Sequence, residues 1–178
     1  MEKEEIAIVL DYLPYGYPLE NRTMPVVQAI GKNNFTLLQL VPRRGVSFES
    51  QEEVYIGEGK RDKIQFIQGR LLREKLTESA KVQLAEVIAK TVMGKESQFV
   101  DFFNKAQAIN TRLHQLELLP GFGKKHCQSV LDERDKKPFE SIAEIKTRVS
   151  GIPDPQKAIE KRIFEELTEI QRQNLFIR

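Results

Sequence analysis

The chain has 178 residues, 40% hydrophobic and 30% charged, with one cysteine and a formal net charge of +2. No stretch approaches the roughly 18–20 uninterrupted apolar residues of a membrane helix, and a single thiol can form neither an internal disulfide nor a thiolate metal cluster. Residues 1–71 carry nine Lys and Arg against ten Asp and Glu, and the remainder carries 19 against 16, so no histone-like basic surface exists and any phosphate contact must be local.

The acidic start Met1-Glu2-Lys3-Glu4-Glu5 lacks the positive and apolar regions of a secretory signal, so a cytoplasmic location is expected. From Ile6 to about Arg70 the pattern is β-like: Ile6–Leu10, Pro25–Ile30, Phe35–Val41, Val54–Ile56 and Ile64–Ile67 are short apolar runs between Gly, Pro and Asn. Gly31-Lys32-Asn33-Asn34 offers residues that tolerate the positive φ of a tight hairpin. Five strands in so short a span predict a small closed antiparallel barrel over residues 1–72, OB-like or SH3-like, because an open sheet would leave its edges bare.

Near Leu71 the period lengthens to that of a helix, and residues 73–178 read as a separate all-α domain, giving an α+β multidomain chain. Leu76, Ala80, Leu84, Val87, Ile88 and Thr91 or Val92 share one face, Thr77 can cap its start, and Gly94 can end it. A second helix begins near Glu96 with Phe99, Phe102, Phe103, Ala106 and Ile109 at spacings of three and four, the stripe that core packing produces.

Residues 109–167 carry the most information. Asn110 or Thr111 can cap a short helix through Leu113, Leu116 and Leu119, after which Pro120-Gly121-Phe122-Gly123 leads to Lys124, Lys125 and a new helix. Two residues without Cβ permit a sharp turn, and the first amides of the following helix lack internal partners and point outward at the positive end of its dipole. Such an end receives an anion. Lys124 and Lys125 are unfavourable there for the helix itself, and fit better as partners of a phosphate.

The run from Ile109 to Leu167, with Leu119-Pro120-Gly121-Phe122-Gly123 at one bend, Pro138-Phe139-Glu140-Ser141-Ile142 in the connector and Val149-Ser150-Gly151-Ile152 at the next, resembles the tandem helix-hairpin-helix nucleic-acid-binding family, in a SAM-like all-α domain. The order of barrel and tandem hairpin also resembles that of an uncharacterised archaeal family. The resemblance implies a backbone-phosphate site at Gly121, Phe122 and Gly123 flanked by Lys124 and Lys125, with a monovalent cation sometimes held by hairpin carbonyls and no other cofactor. At the second bend Pro153 replaces the second glycine and has no N–H to donate, which points to a supporting role.

In the barrel, Arg43, Arg44, Lys60, Arg61 and Lys63 flank strands, and Tyr12, Tyr15 and Tyr17 cluster near the end of the first, a composition that permits a strand-binding surface. No Ser/His/Asp or metal-ligand constellation is visible. Helix-hairpin-helix glycosylases place a lysine where Lys125 stands, but the position of their later aspartate falls at Ala143, between Glu140 and Glu144. The expectation is therefore a non-enzymatic, sequence-independent binder of RNA or DNA, with RNA slightly favoured. The alternative is a protein-interaction or structural subunit, as in transcription or ribosome assembly.

Overall fold

The computed structural model describes residues 3–21 and 23–178, so Met1 and Glu2 of the acidic start lie outside the described residues. Five strands, β1 (Ile6–Leu13), β2 (Val26–Gly31), β3 (Leu37–Pro42), β4 (Glu53–Tyr55) and β5 (Ile64–Arg70), form one antiparallel sheet in the order β4-β1-β2-β3-β5. Ala7, Val9, Val27, Ala29, Leu40 and Ile64 fill its core, each 1% exposed or less. Bulges between Val9 and Asp11 and along the β3–β5 pairing curl the sheet.

The closed barrel expected from the sequence is an open half-barrel. Strands β4 and β5 end the ladder and share no pairing among the described residues. The reason is local: β4 lasts three residues before the chain turns away through Gly57-Glu58-Gly59. The β2–β3 turn also differs from expectation, since its positive φ falls on Phe35 (52°) rather than on Gly31 or an Asn. The Glu4 carboxylate accepts the N–H groups of Asn33 and Asn34 and holds that turn.

Five α-helices follow among the described residues: α1 (Glu78–Gly94), α2 (Glu96–Lys105), α3 (Lys124–Lys136), α4 (Ile142–Arg148) and α5 (Pro155–Thr168). Thr77 caps α1 as expected, its hydroxyl oxygen accepting the Ala80 N–H and its own proton going to Asp11. Gln28 is fully buried and satisfied: its amide donates to Lys75 O and Tyr17 Oη, and its carbonyl accepts the Thr77 N–H. No described helix is long and apolar enough to cross a membrane.

The chain forms two compact units. One runs to Val87 and includes Leu167–Glu169 and Ile177–Arg178; the other holds Ile88–Glu166 and Ile170–Phe176. In the helical unit polar side chains close the helix ends that burial would otherwise leave unsatisfied. Arg134 donates to Phe103 O and Ala106 O at the end of α2, and Glu96 and Ser141 accept the amides of Ile142 and Glu144 at the start of α4. Arg148 stacks on the Phe139 ring and donates to Glu133 O and Lys137 O at the end of α3. Phe99 and Phe103 of the expected stripe are core residues, while Phe102 is half-buried against Phe176.

Candidate nucleic-acid interface

The first bend is reached differently from the sequence expectation. Residues 110–113 form no helix: Asn110 Oδ1 accepts the Arg112 N–H, and Ala108 bridges to His114. Only a 3-10 turn at Gln115–Leu118 precedes the bend, and its cap is His114 rather than Asn110 or Thr111. His114 Nδ1 accepts the Leu116 N–H while Glu117 accepts the His114 N–H at 2.7 Å. This His114-x-x-Glu117 pair is a capping box whose acceptor is an imidazole, a spelling that a search for Ser or Thr overlooks.

Gly121 then takes a φ of +82°, a left-handed conformation that an L side chain resists, and Phe122 turns inward, 5% exposed, against Phe103. Gly123 caps α3 with open space around it. The amides at the bend are unequal. Phe122 N–H donates to Leu119 O at 3.0 Å, and Gly123 N–H to His126 Nδ1 at 3.1 Å. The amides of Lys124 and Lys125, at the start of α3, have no acceptor among the described residues. Gly121, Gly123, Lys124 and Lys125 are all exposed, so the start of α3 faces solvent.

The two lysines also part company. Lys124 Nζ donates to Arg112 O at 2.7 Å and lies 3.3 Å from Glu117, bracing the capped turn. The His114 N–H and the Lys124 ammonium together hold the Glu117 carboxyl below its ordinary range. Lys125 makes no side-chain bond among the described residues and is the exposed, uncommitted cation of the pair. Cys127 is buried, and burial raises its thiol pKa, which suits packing.

The second bend has the same backbone turn and the opposite electrostatics. Gly151 has a φ of +77°, matching Gly121. The α5 terminus is closed by Asp154, whose Oδ1 accepts the N–H groups of Gln156 and Lys157 while Lys146 lies 3.4 Å from its other oxygen. A carboxylate of the chain already occupies the place an anion would take, a stronger obstacle than Pro153.

Of the cations of the half-barrel, Lys63 is committed to Glu52 (2.9 Å) and Ser47 O, with Phe48 beneath it. Arg43 and Arg61 are each anchored by Nε alone, on Arg61 O and Gly57 O respectively, leaving their terminal nitrogens unbonded among the described residues. Arg44 and Lys60 are exposed. Tyr12 packs on Phe48 and Tyr17 bonds Gln39 and Gln28, so these two are structural; Tyr15 is 79% exposed. Among the described residues no group of three His, Cys, Asp or Glu could hold a metal ion.

A family model described as a protein of unknown function, DUF655, matches residues 3–178. The chain belongs to the DUF655 family. An uncharacterised protein, MJ0038 from Methanocaldococcus jannaschii, is 41% identical over 174 residues, which is 98% of this chain and 79% of that protein. The crystal structure of Af1531 from Archaeoglobus fulgidus, also assigned to DUF655, superimposes with a TM-score of 0.85 at 43% identity, covering 98% of this chain and 100% of that one. These relatives are archaeal, and the α+β architecture with its curled five-stranded sheet is common to the fold.

Proposed function

We propose that this DUF655 protein binds RNA or DNA without sequence preference, through backbone phosphates seated at the Gly121–Lys125 bend, and that it is not an enzyme. In this reading the helical unit is a tandem helix-hairpin-helix of SAM-like type, the half-barrel is a variant of an OB-like or SH3-like barrel, and RNA is slightly favoured. The observation that carries it is the solvent-facing start of α3, where the amides of Lys124 and Lys125 have no acceptor among the described residues and Gly123 stands in open space. Free amides at the positive end of a helix dipole attract phosphate oxygens, and Lys125 adds a full charge. The carbonyls of Leu119 and Gly123 each accept one N–H group, from Phe122 and Cys127 respectively, and keep a second lone pair.

Binding of a fluorescent single-stranded RNA and a DNA duplex, followed by anisotropy at several salt concentrations, tests the proposal. Affinity should fall as salt rises, with a slope set by the phosphates neutralised. A partner held through apolar surface would give a salt-insensitive profile and favour the protein-interaction alternative. The capture of a protein in place of nucleic acid would have the same meaning.

A further inference from the structure

The open seam of the half-barrel holds a cleft of about 1010 Å³ beside the ends of β4 and β5, at the upper end of the roughly 300–1,000 Å³ typical of small-ligand pockets. We propose that this cleft binds a nucleoside phosphate, with its base against Tyr55 and its phosphate on Arg61. This site is separate from the hairpin and its chemistry does not depend on it.

Three features of the lining point to that ligand. Its floor is apolar, formed by Leu38, Ile56 and the half-buried Ile67. Tyr55 is 40% exposed yet held in place, its hydroxyl accepting the Gly59 N–H at 3.1 Å. Gly57 and Gly59 permit that approach: a Cβ on Gly57 would lie within 2.4 Å of the Tyr55 hydroxyl. The result is an aromatic surface fixed by a glycine loop and available for stacking.

Arg61 lines the same cleft, and its Nε–H donates to Gly57 O at 2.7 Å. Anchoring by Nε leaves both terminal nitrogens as a fork preset for two phosphate oxygens. The carboxylates of the lining do not cancel this cation. Glu4 is occupied by the Asn33 and Asn34 amides and Glu58 by Lys3 at 3.0 Å. Glu5 has no side-chain partner among the described residues and can accept a base amine or a ribose hydroxyl. A bare anion would leave the apolar floor and Tyr55 unused, and an apolar ligand would leave Arg61 and Glu5 unused.

The same ligand chemistry can arrive as a free mononucleotide or as the phosphorylated end of a strand. Titration of the full chain with adenosine 5′-monophosphate, adenosine, inorganic phosphate and a 5′-phosphorylated tetranucleotide, followed by amide NMR shifts, separates these. Saturable shifts at Gly57–Arg61 and Ile67 with the monophosphate are expected, at least tenfold tighter than with adenosine or phosphate alone. A tetranucleotide that binds tenfold tighter still identifies a strand end as the natural source, and equal affinity identifies the free nucleotide. Arg61→Gln should weaken the monophosphate at least tenfold with signal dispersion retained; should that variant unfold, the wild-type shifts decide alone. Absence of shifts at the cleft, or inorganic phosphate binding as tightly as the monophosphate, would overturn the proposal. Lys124→Glu with Lys125→Glu should bind the monophosphate like the wild type, so failure at the cleft and failure at the hairpin are read separately.

Discussion

Pro153 of the second bend lies against Gly121 of the first, where an added Cβ would sit 3.1 Å from Pro153 Cγ. Gly121 is also held at a φ of +82°. Gly121→Ala should therefore lower stability by about 1–3 kcal/mol, from left-handed strain and the crowding of Pro153 together. Gly123, with a φ of −101° and open surroundings, should accept alanine for less than about 1 kcal/mol. Urea midpoints of the two variants check the contrast.

Asp154 distinguishes the second bend from the first. Removing its cap with Asp154→Ala should cost about 1 kcal/mol. Burial raises its carboxyl pKa, but the Lys157 amide and the Lys146 ammonium outweigh burial and hold it below 3.8. A carboxylate depressed in the folded state contributes stability above its unfolded pKa and loses it as pH falls through the folded one. Asp154→Asn should keep most of the stability at pH 7 and reduce the acid-dependent loss below about pH 4, read from melting temperatures across that range.

Arg162 and Glu166 form a buried pair at 3.0 Å that ties residues 173–176 to the 3-10 turn at Gln115–Leu118. Arg162 donates to Leu118 O and Gln173 O, and Glu166 accepts the amides of Leu175 and Phe176. Glu166→Ala strands a buried guanidinium and should cost about 3–5 kcal/mol. Amide-exchange protection at Leu175 and Phe176 should vanish with it. Arg162→Met combined with Glu166→Leu should cost less than the sum of the single changes, because neither charge is then left alone.

Periodicity revealed much of this molecule. The strand runs and the α1 and α2 stripes appear close to where alternation and helical spacing put them, since burial alone dictates those patterns. Closure of the barrel was not legible, because it depends on whether the three-residue β4 can reach β5, a long-range matter that Gly57 and Gly59 decide. The bend at Gly121–Gly123 was legible from its glycines. What occupies each amide was not, since His126, Asp154 and Glu117 act through side-chain geometry that residue type leaves open.

The imidazole cap at His114 should make the helical unit sensitive to mild acid. Burial and the Arg134 guanidinium hold His114 below its ordinary pKa of 6.5, against the pull of Glu117. The unfolded chain then takes up a proton first as pH falls. The stability supplied by the neutral cap is present above pH 6.5 and declines as pH drops toward the folded pKa. His114→Asn keeps an acceptor without a titrating group and should flatten the melting temperature between pH 7.5 and 5.

The central claim is tested most directly by titrating generic RNA or DNA with the wild type and with Lys124→Glu combined with Lys125→Glu at moderate salt, with circular dichroism of both proteins alongside. A loss of affinity greater than tenfold, or at least about 1.4 kcal/mol, with unchanged circular dichroism and a shallower salt dependence is the expected result. Equal affinity of the two proteins would contradict a phosphate seat at the start of α3.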